Sequence, residues 1–165
     1  MGRITLTQER LKELKHYNPD TGVWTHLTNA GPAKKGERAG SSDKDGYTRI
    51  CVDYKEYRSA RLAFFYMNGE WPRGKVDHRD LDKTNDRWNN LRHASTSQNG
   101  ANTTLRSDNK SGIKGVFYRR DLGKYRAAIQ VNGKSIYLGL RNTKEEASAL
   151  YAEAAKQHFG EFARP

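Results

Sequence analysis

Asp77 and His78 stand side by side, and a run of amides, acids and arginines follows them: Asn85, Asp86, Arg87, Asn90, Arg92, Asn99 and Asn102. Phosphodiester hydrolysis needs a base to activate water and a cation whose ligands leave coordination sites open. A carboxylate and an amide oxygen suit a hard ion such as Mg2+, and Asp77 and Asn99 supply that pair. His78 has the titration range suited to the base. Neighbouring residues on a strand point to opposite faces, so Asp77 and His78 converge only at a strand end, where the chain turns into Arg79–Arg87. Ser95-x-x-Gln98 forms a capping box that puts Asn99 one turn inside a helix. Asn102, one turn further, is the fallback ligand, and its simpler reading is a surface amide at the helix end. His93 shares the parity of Leu91 and reads as core. His16, His26 and His158 have no partner cluster and read as structural or surface residues.

The elements that must position these groups are legible from local pattern. Thr7–His16 reads as a helix capped by Thr7, with Leu6 and Leu11 as a staple and Leu11, Leu14 and Tyr17 as its apolar stripe. Asn18–Gly22 is turn chemistry, and Val23–Thr25 a short strand. Gly31–Asp45 is a polar, glycine-rich loop whose Lys34, Lys35 and Arg38 could grip phosphates or simply be solvated. Gly46–Val52 alternates as a strand, Asp53–Glu56 turns, and Tyr57–Arg58 returns. Ser59–Asn68 is a helix closed by Gly69, and its aromatics read as core. Trp88–Ala94 is strand-like. Residues 103–112 have linker composition, with Arg106 and Lys110 able to track a nucleic-acid backbone.

Three further strands are expected at Lys114–Arg120, Lys124–Val131 and Lys134–Leu140, the last two joined by an Asn132-Gly133 hairpin turn. A helix capped by Thr143 and Glu146 follows, with Gly160 as its stop. Alternation turns Tyr125, Ala127, Ile129, Val131, Ile136 and Leu138 toward that helix. It leaves Arg126, Ala128, Gln130, Ser135 and Tyr137 outward. Residues 106–132 carry seven Lys/Arg against two Asp/Glu, and 144–161 two against four, so the strands are basic and the helix acidic. A sheet of this width fits the DNA major groove.

Composition agrees with a polyanionic partner. The 165 residues carry a net charge of +11 with only 35% hydrophobic residues, which favours two small units over one large core. No stretch approaches the roughly 20 apolar residues of a membrane span, and the N-terminal segment has no apolar secretory core, so a cytoplasmic location is expected. Cys51 is the only cysteine, which excludes an intrachain disulfide or a cysteine-rich zinc cluster.

Asp77-His78, Asn85-Asp86-Arg87, Asn90-Leu91-Arg92 and Gln98-Asn99 together resemble the HNH (ββα-metal) endonucleases, in particular the homing-type branch of phages and group I introns. The family's corresponding run is Asp-His, Asn-Asn-Arg, Asn-Leu-Arg and a helix with Asn. Tyr17–Gly22, Gly46-Tyr47, Arg61-Leu62-Ala63 and Gly69-Glu70-Trp71-Pro72 extend the match over residues 7–102. The resemblance implies His78 as general base, Asp77 and Asn99 as metal ligands, and Asn90 as the residue that fixes the loop. Arg87 and Arg92 would neutralise phosphate or form ion pairs. The position of Ala60 is commonly histidine in this family, which implies weakened activity. Gly115-Val116, Gly123-Lys124-Tyr125, Ile136–Gly139, Thr143–Ala147 and His158–Ala163 resemble the APETALA-two (ethylene-response-factor) DNA-binding domain over 113–163. That resemblance implies DNA contact at Lys114, Arg119, Arg126, Gln130 and Tyr137. Phe117 and Gln130 stand where the plant versions carry arginines, so base preference does not transfer.

The expectation is an α+β chain. An N-terminal ββα-metal HNH nuclease unit (1–102) and a linker (103–112) precede a three-stranded antiparallel sheet packed on one helix (113–165). Its function would be that of a metal-dependent, site-directed endonuclease using Mg2+, or Mn2+, on double-stranded DNA, as a monomer or dimer. The alternatives are a non-catalytic sequence-specific DNA-binding regulator on a degenerate HNH scaffold, and an RNA-binding protein, which fits the charge but not the sheet pattern.

Overall fold

The computed structural model describes residues 5–105 and 107–164, and the chain divides between His93 and Ala94 into two compact units. Arg106, one of the two cations expected along the linker, lies outside the described residues.

In the first unit α1 is Gln8–Leu14, and the Thr7 hydroxyl accepts the Arg10 amide at 3.2 Å. It ends before the expected His16 because Lys15–Tyr17 leave as β1 and pair with β2, Trp24–His26. Tyr17 therefore enters the core from a strand, beside Leu6, Leu11 and Trp24. The stretch expected to be a loop, Gly31–Asp45, carries β3 (Arg38–Ala39), which joins β2, and β4 (Ser41–Ser42), which joins the next strand. Pairing with neighbours makes these strands, and so short a segment shows no alternation to signal it. β5 (Thr48–Val52) and β6 (Lys55–Arg58) form a hairpin around Asp53 and Tyr54, both at positive φ, so the turn is tighter than expected. α2 (Ser59–Asn68) ends at Gly69 in the left-handed conformation. Its Leu62, Ala63, Phe64 and Phe65 fill the core. β7 (Lys75–His78) then pairs with β8 (Leu91–Ala94) across a long polar loop. Trp88–Asn90, expected to be strand-like, is a 3-10 turn, because the Trp88 amide is drawn to the Pro19 carbonyl at 2.9 Å.

The second unit begins with α3 (Thr96–Ala101), closed at its start by the Ser95/Gln98 capping box. Ala94 and Ala101 share an apolar cluster with Ile129, Tyr151, Ala155 and Phe159, so in packing α3 goes with this unit. β9 (Val116–Arg119), β10 (Lys124–Val131) and β11 (Lys134–Arg141) form an antiparallel sheet of order β11-β10-β9. Asn132 and Gly133, both at positive φ, make the last turn. α4 (Lys144–Phe159) carries the Thr143/Glu146 capping box and covers Ala127, Ile129, Val131 and Leu138. Gly115, at φ +69, lies against the Tyr151 ring where no Cβ would fit. Ile136, expected inward, is 37% exposed: β11 is an edge strand and its register slips at Ala127/Ala128, so alternation is a weak guide there. No helix among the described residues is long and apolar enough to cross a membrane.

Candidate active site

β7 ends at His78 and the chain turns at once: the Arg79 amide donates to the Asn90 carbonyl at 2.9 Å, and Leu81 takes φ 70°. Asp77 and His78 are both buried, at 4% and 6% exposure. Their partners differ, as strand alternation requires. Arg92 Nε donates to Asp77 Oδ2 at 2.9 Å, within a buried ion pair. His78 Nε2 lies 2.9 Å from Oδ1 of Asp86, itself 3% exposed.

The loop between the strands is tied by its own side chains. Asn90 Nδ2 donates to Asp80 Oδ1 at 2.9 Å and to the Asn85 carbonyl at 2.7 Å, while its Oδ1 accepts the Asp80 amide at 3.2 Å. Asn85 Nδ2 donates to Asp80 Oδ2 at 2.6 Å. Burial works against the Asp80 carboxylate, but the bonds from Asn85, Asn90 and the Asp82 amide outweigh it and hold its pKa below the usual range. Asp82 is held low by the hydroxyl and amide of Thr84.

The N-terminal turn braces the same loop from behind. Tyr17 donates its hydroxyl to the Asp86 carbonyl at 2.6 Å, and burial pushes its phenol above the ordinary tyrosine range. Gly22, at φ +73, lies so close that a Cβ would come within 2.5 Å of the Asp86 carbonyl carbon and 2.6 Å of the Arg87 nitrogen. The Tyr17–Gly22 motif thus has a mechanical reason: it backs the residue that touches His78. Beside the site, the Tyr47 ring lies 6.1 Å from the His78 ring, with Arg58 and Lys83 over it at 4.1 and 5.0 Å. Asp86 as partner of His78, and Tyr47 as its neighbour, were not singled out by residue spacing. The signal for Asp86 was an acid where the family pattern has asparagine.

The remaining expected residues are placed in turn. Arg92 is 8% exposed and pairs with Asp77, the ion-pair arrangement of the two expected for it. Arg87 is exposed. Asn99 is half-buried in α3, its amide on the Ser95 carbonyl at 2.9 Å. Asn102, expected at the surface, is 4% exposed at the C-cap of α3, because the helix end turns into the unit. His93, read as core, is exposed and meets Phe64 edge-on at 4.3 Å. Ala60 is buried in the core.

The oxygen donors fit a hard cation: the Asp77 carboxylate can keep the Arg92 bond and still ligate, and an amide oxygen is a neutral complement. Among the described residues no three His, Cys, Asp or Glu gather into a cage, so such a cation would rest on few charged ligands.

On the outer face of the second unit, Arg126 pairs across the sheet with Phe117 and stands over the Tyr137 ring at 5.6 Å. Its buried Nε has no hydrogen-bond partner. Phe117 and Tyr137 are both over half exposed, and Gln130 is exposed opposite Ser135. Arg119 is clipped to Asp121 at 2.6 and 2.9 Å. Lys114, expected to contact DNA, is bonded within the chain. Its ammonium donates to the carbonyls of Ala101, Thr103 and Arg164, each at 2.8 Å, and burial lowers its pKa.

The profile of the HNH endonuclease family matches residues 58–101. An uncharacterized HNH endonuclease of Acanthamoeba polyphaga mimivirus is 36% identical over 124 residues, covering 74% of this chain and 63% of that protein. The chain therefore spans less than two thirds of that relative's length. Protein 3.8 of Escherichia phage T7 is 32% identical over 112 residues, covering 67% of this chain and 92% of that protein. Among solved structures, the HNH homing endonuclease I-HmuI aligns at 23% identity with a TM-score of 0.43, over 75% of this chain and 71% of that one.

Proposed function

From the match of residues 58–101 to the HNH endonuclease family, we propose that this chain is a metal-dependent, site-directed HNH endonuclease acting on double-stranded DNA. The observation that carries the reading is the buried Asp77-His78 pair at the end of β7, inside the matched segment and braced by the Asn90–Asp80 network. His78 takes a proton from water, the resulting hydroxide bonds to phosphorus, and the P–O3′ bond breaks to leave a 5′-phosphate and a 3′-oxyanion, which takes a proton from solvent to become the 3′-hydroxyl. Asp77 and Asn99 would hold the cation, Asn99 being assigned on its spacing in the sequence. When bound, Mg2+ or Mn2+ supplies charge compensation for the phosphoryl oxygens and the departing 3′-oxygen. Asn90 keeps the loop in register with β7 and so fixes where His78 points.

The outer sheet face of the second unit is the proposed reading surface. Arg126 carries an Nε without a partner between two exposed aromatics, and Gln130 offers an amide in the same plane. Guanidinium and amide groups match base edges in the major groove.

A randomised duplex library incubated with Mg2+ tests the reading. His78→Ala should cut at least ~100-fold more slowly than wild type, and chelation should stop both. Equal cleavage by the two proteins overturns it. The rival reading, a DNA-binding regulator, is favoured by the Arg92 ion pair on Asp77 and by Ala60. Selective binding without cleavage in Mg2+ or Mn2+ would establish that instead.

A further inference from the structure

The proposed reaction leaves Asp86 unused, although its carboxylate lies 2.9 Å from Nε2 of the proposed base. We propose that Asp86 is a positioning residue, holding His78 in the tautomer and rotamer in which Nε2 carries the proton and Nδ1 accepts one. The inference rests on the reading of His78 as general base.

A carboxylate offers only acceptors, so the ring nitrogen facing it must bear hydrogen. A neutral imidazole has one N–H, and with Nε2–H given to Asp86 its basic nitrogen is Nδ1. Both side chains are under 10% exposed, so bulk water competes poorly for the bond. Asp86 is itself fixed. Its carbonyl accepts the Tyr17 hydroxyl at 2.6 Å and its amide donates to the Thr84 carbonyl at 3.1 Å. Gly22 closes against its backbone. An unconstrained aspartate could swing away with the loop, whereas one braced on three sides imposes its direction on the ring. A base held in one orientation needs no reorganisation before it takes the proton, and misplacement by about 1 Å can cost on the order of 100-fold.

The test follows two readouts in the full chain, at one neutral pH: cleavage turnover with Mg2+, and the His78 Nε2–H proton by NMR without metal. Wild type should show a slowly exchanging, downfield Nε2–H signal with Nδ1 unprotonated. Asp86→Ala should lose that signal and cut about 10–100-fold more slowly, with KM unchanged. Asp86→Asn keeps the volume and can present either its oxygen or its amide nitrogen to the ring. Turnover in that variant should follow the signal, both kept or both lost. The proposal fails if Asp86→Ala cuts at the wild-type rate, if turnover and signal part company in either variant, or if wild-type His78 bears both ring protons. His78→Ala, measured alongside, separates this failure from failure of the general-base reading, and the NMR readout does not depend on cleavage at all.

Discussion

Arg92 and Asp86 divide the Asp77-His78 pair between them, and each holds its partner from a different segment of the chain. That Asp77 and His78 open one polar run was legible in the sequence, because an adjacent acid and histidine followed by amides stands out next to core strands. Which partner each would take was not. Asp86 lies eight positions beyond His78 in a loop whose path depends on Asn90, Tyr17 and Gly22. Gly22 is the residue where this dependence is easiest to measure. Gly22→Ala puts a side chain into left-handed backbone, at about 1–2 kcal/mol, and the contact with the Asp86 backbone adds to it. Thermal unfolding should show a lowered Tm, and an unchanged Tm would remove the bracing role given to this turn.

At the level of elements, capping boxes and glycine stops were readable because they are local. Thr7, Ser95 and Thr143 each accept the amide three residues on. β3 and β4 were not readable, since segments so short show no alternation and only pairing across the sheet makes them strands. The β1–β2 pairing also creates a titration that neither strand has alone. Lys15 Nζ sits 2.8 Å from His26 Nδ1, with Lys15 only 4% exposed. Burial, then the Lys15 charge, hold His26 below the ordinary histidine range, with Glu37 opposing. As pH falls through about 6.5, the unfolded chain takes up a proton that the folded chain refuses, so stability declines until the folded-state pKa is passed. Burial likewise lowers the pKa of Lys15. Denaturant unfolding between pH 7.5 and 5.5 should lose stability with a slope of at most about 1.4 kcal/mol per pH unit from this group. Lys15→Met should flatten that slope, and an equal slope in the variant would exclude the pair as its source.

For the molecule as a whole, the charge of +11 is spread over two units with different proposed tasks, cutting and reading. If the outer sheet face reads bases, Arg126→Ala should lower discrimination between preferred and mismatched duplexes by about 1–3 kcal/mol. Selection from a randomised library would show it, and an unchanged preference would remove Arg126 from the reading set. The sequence by itself determined the α+β composition, the main helices and strands, the basic strands against an acidic helix, and the identity of the polar residues around Asp77-His78. Each of these is a matter of periodicity, capping or composition within a short window. Only the tertiary structure decided that Asp77 is paired with Arg92, that Asp86 faces His78, that Lys114 is spent on three carbonyls and that Asn102 is buried. Those outcomes depend on which distant groups arrive beside a side chain. A buried charge takes the nearest opposite charge or carbonyl, and that neighbour is set by the path of the whole chain.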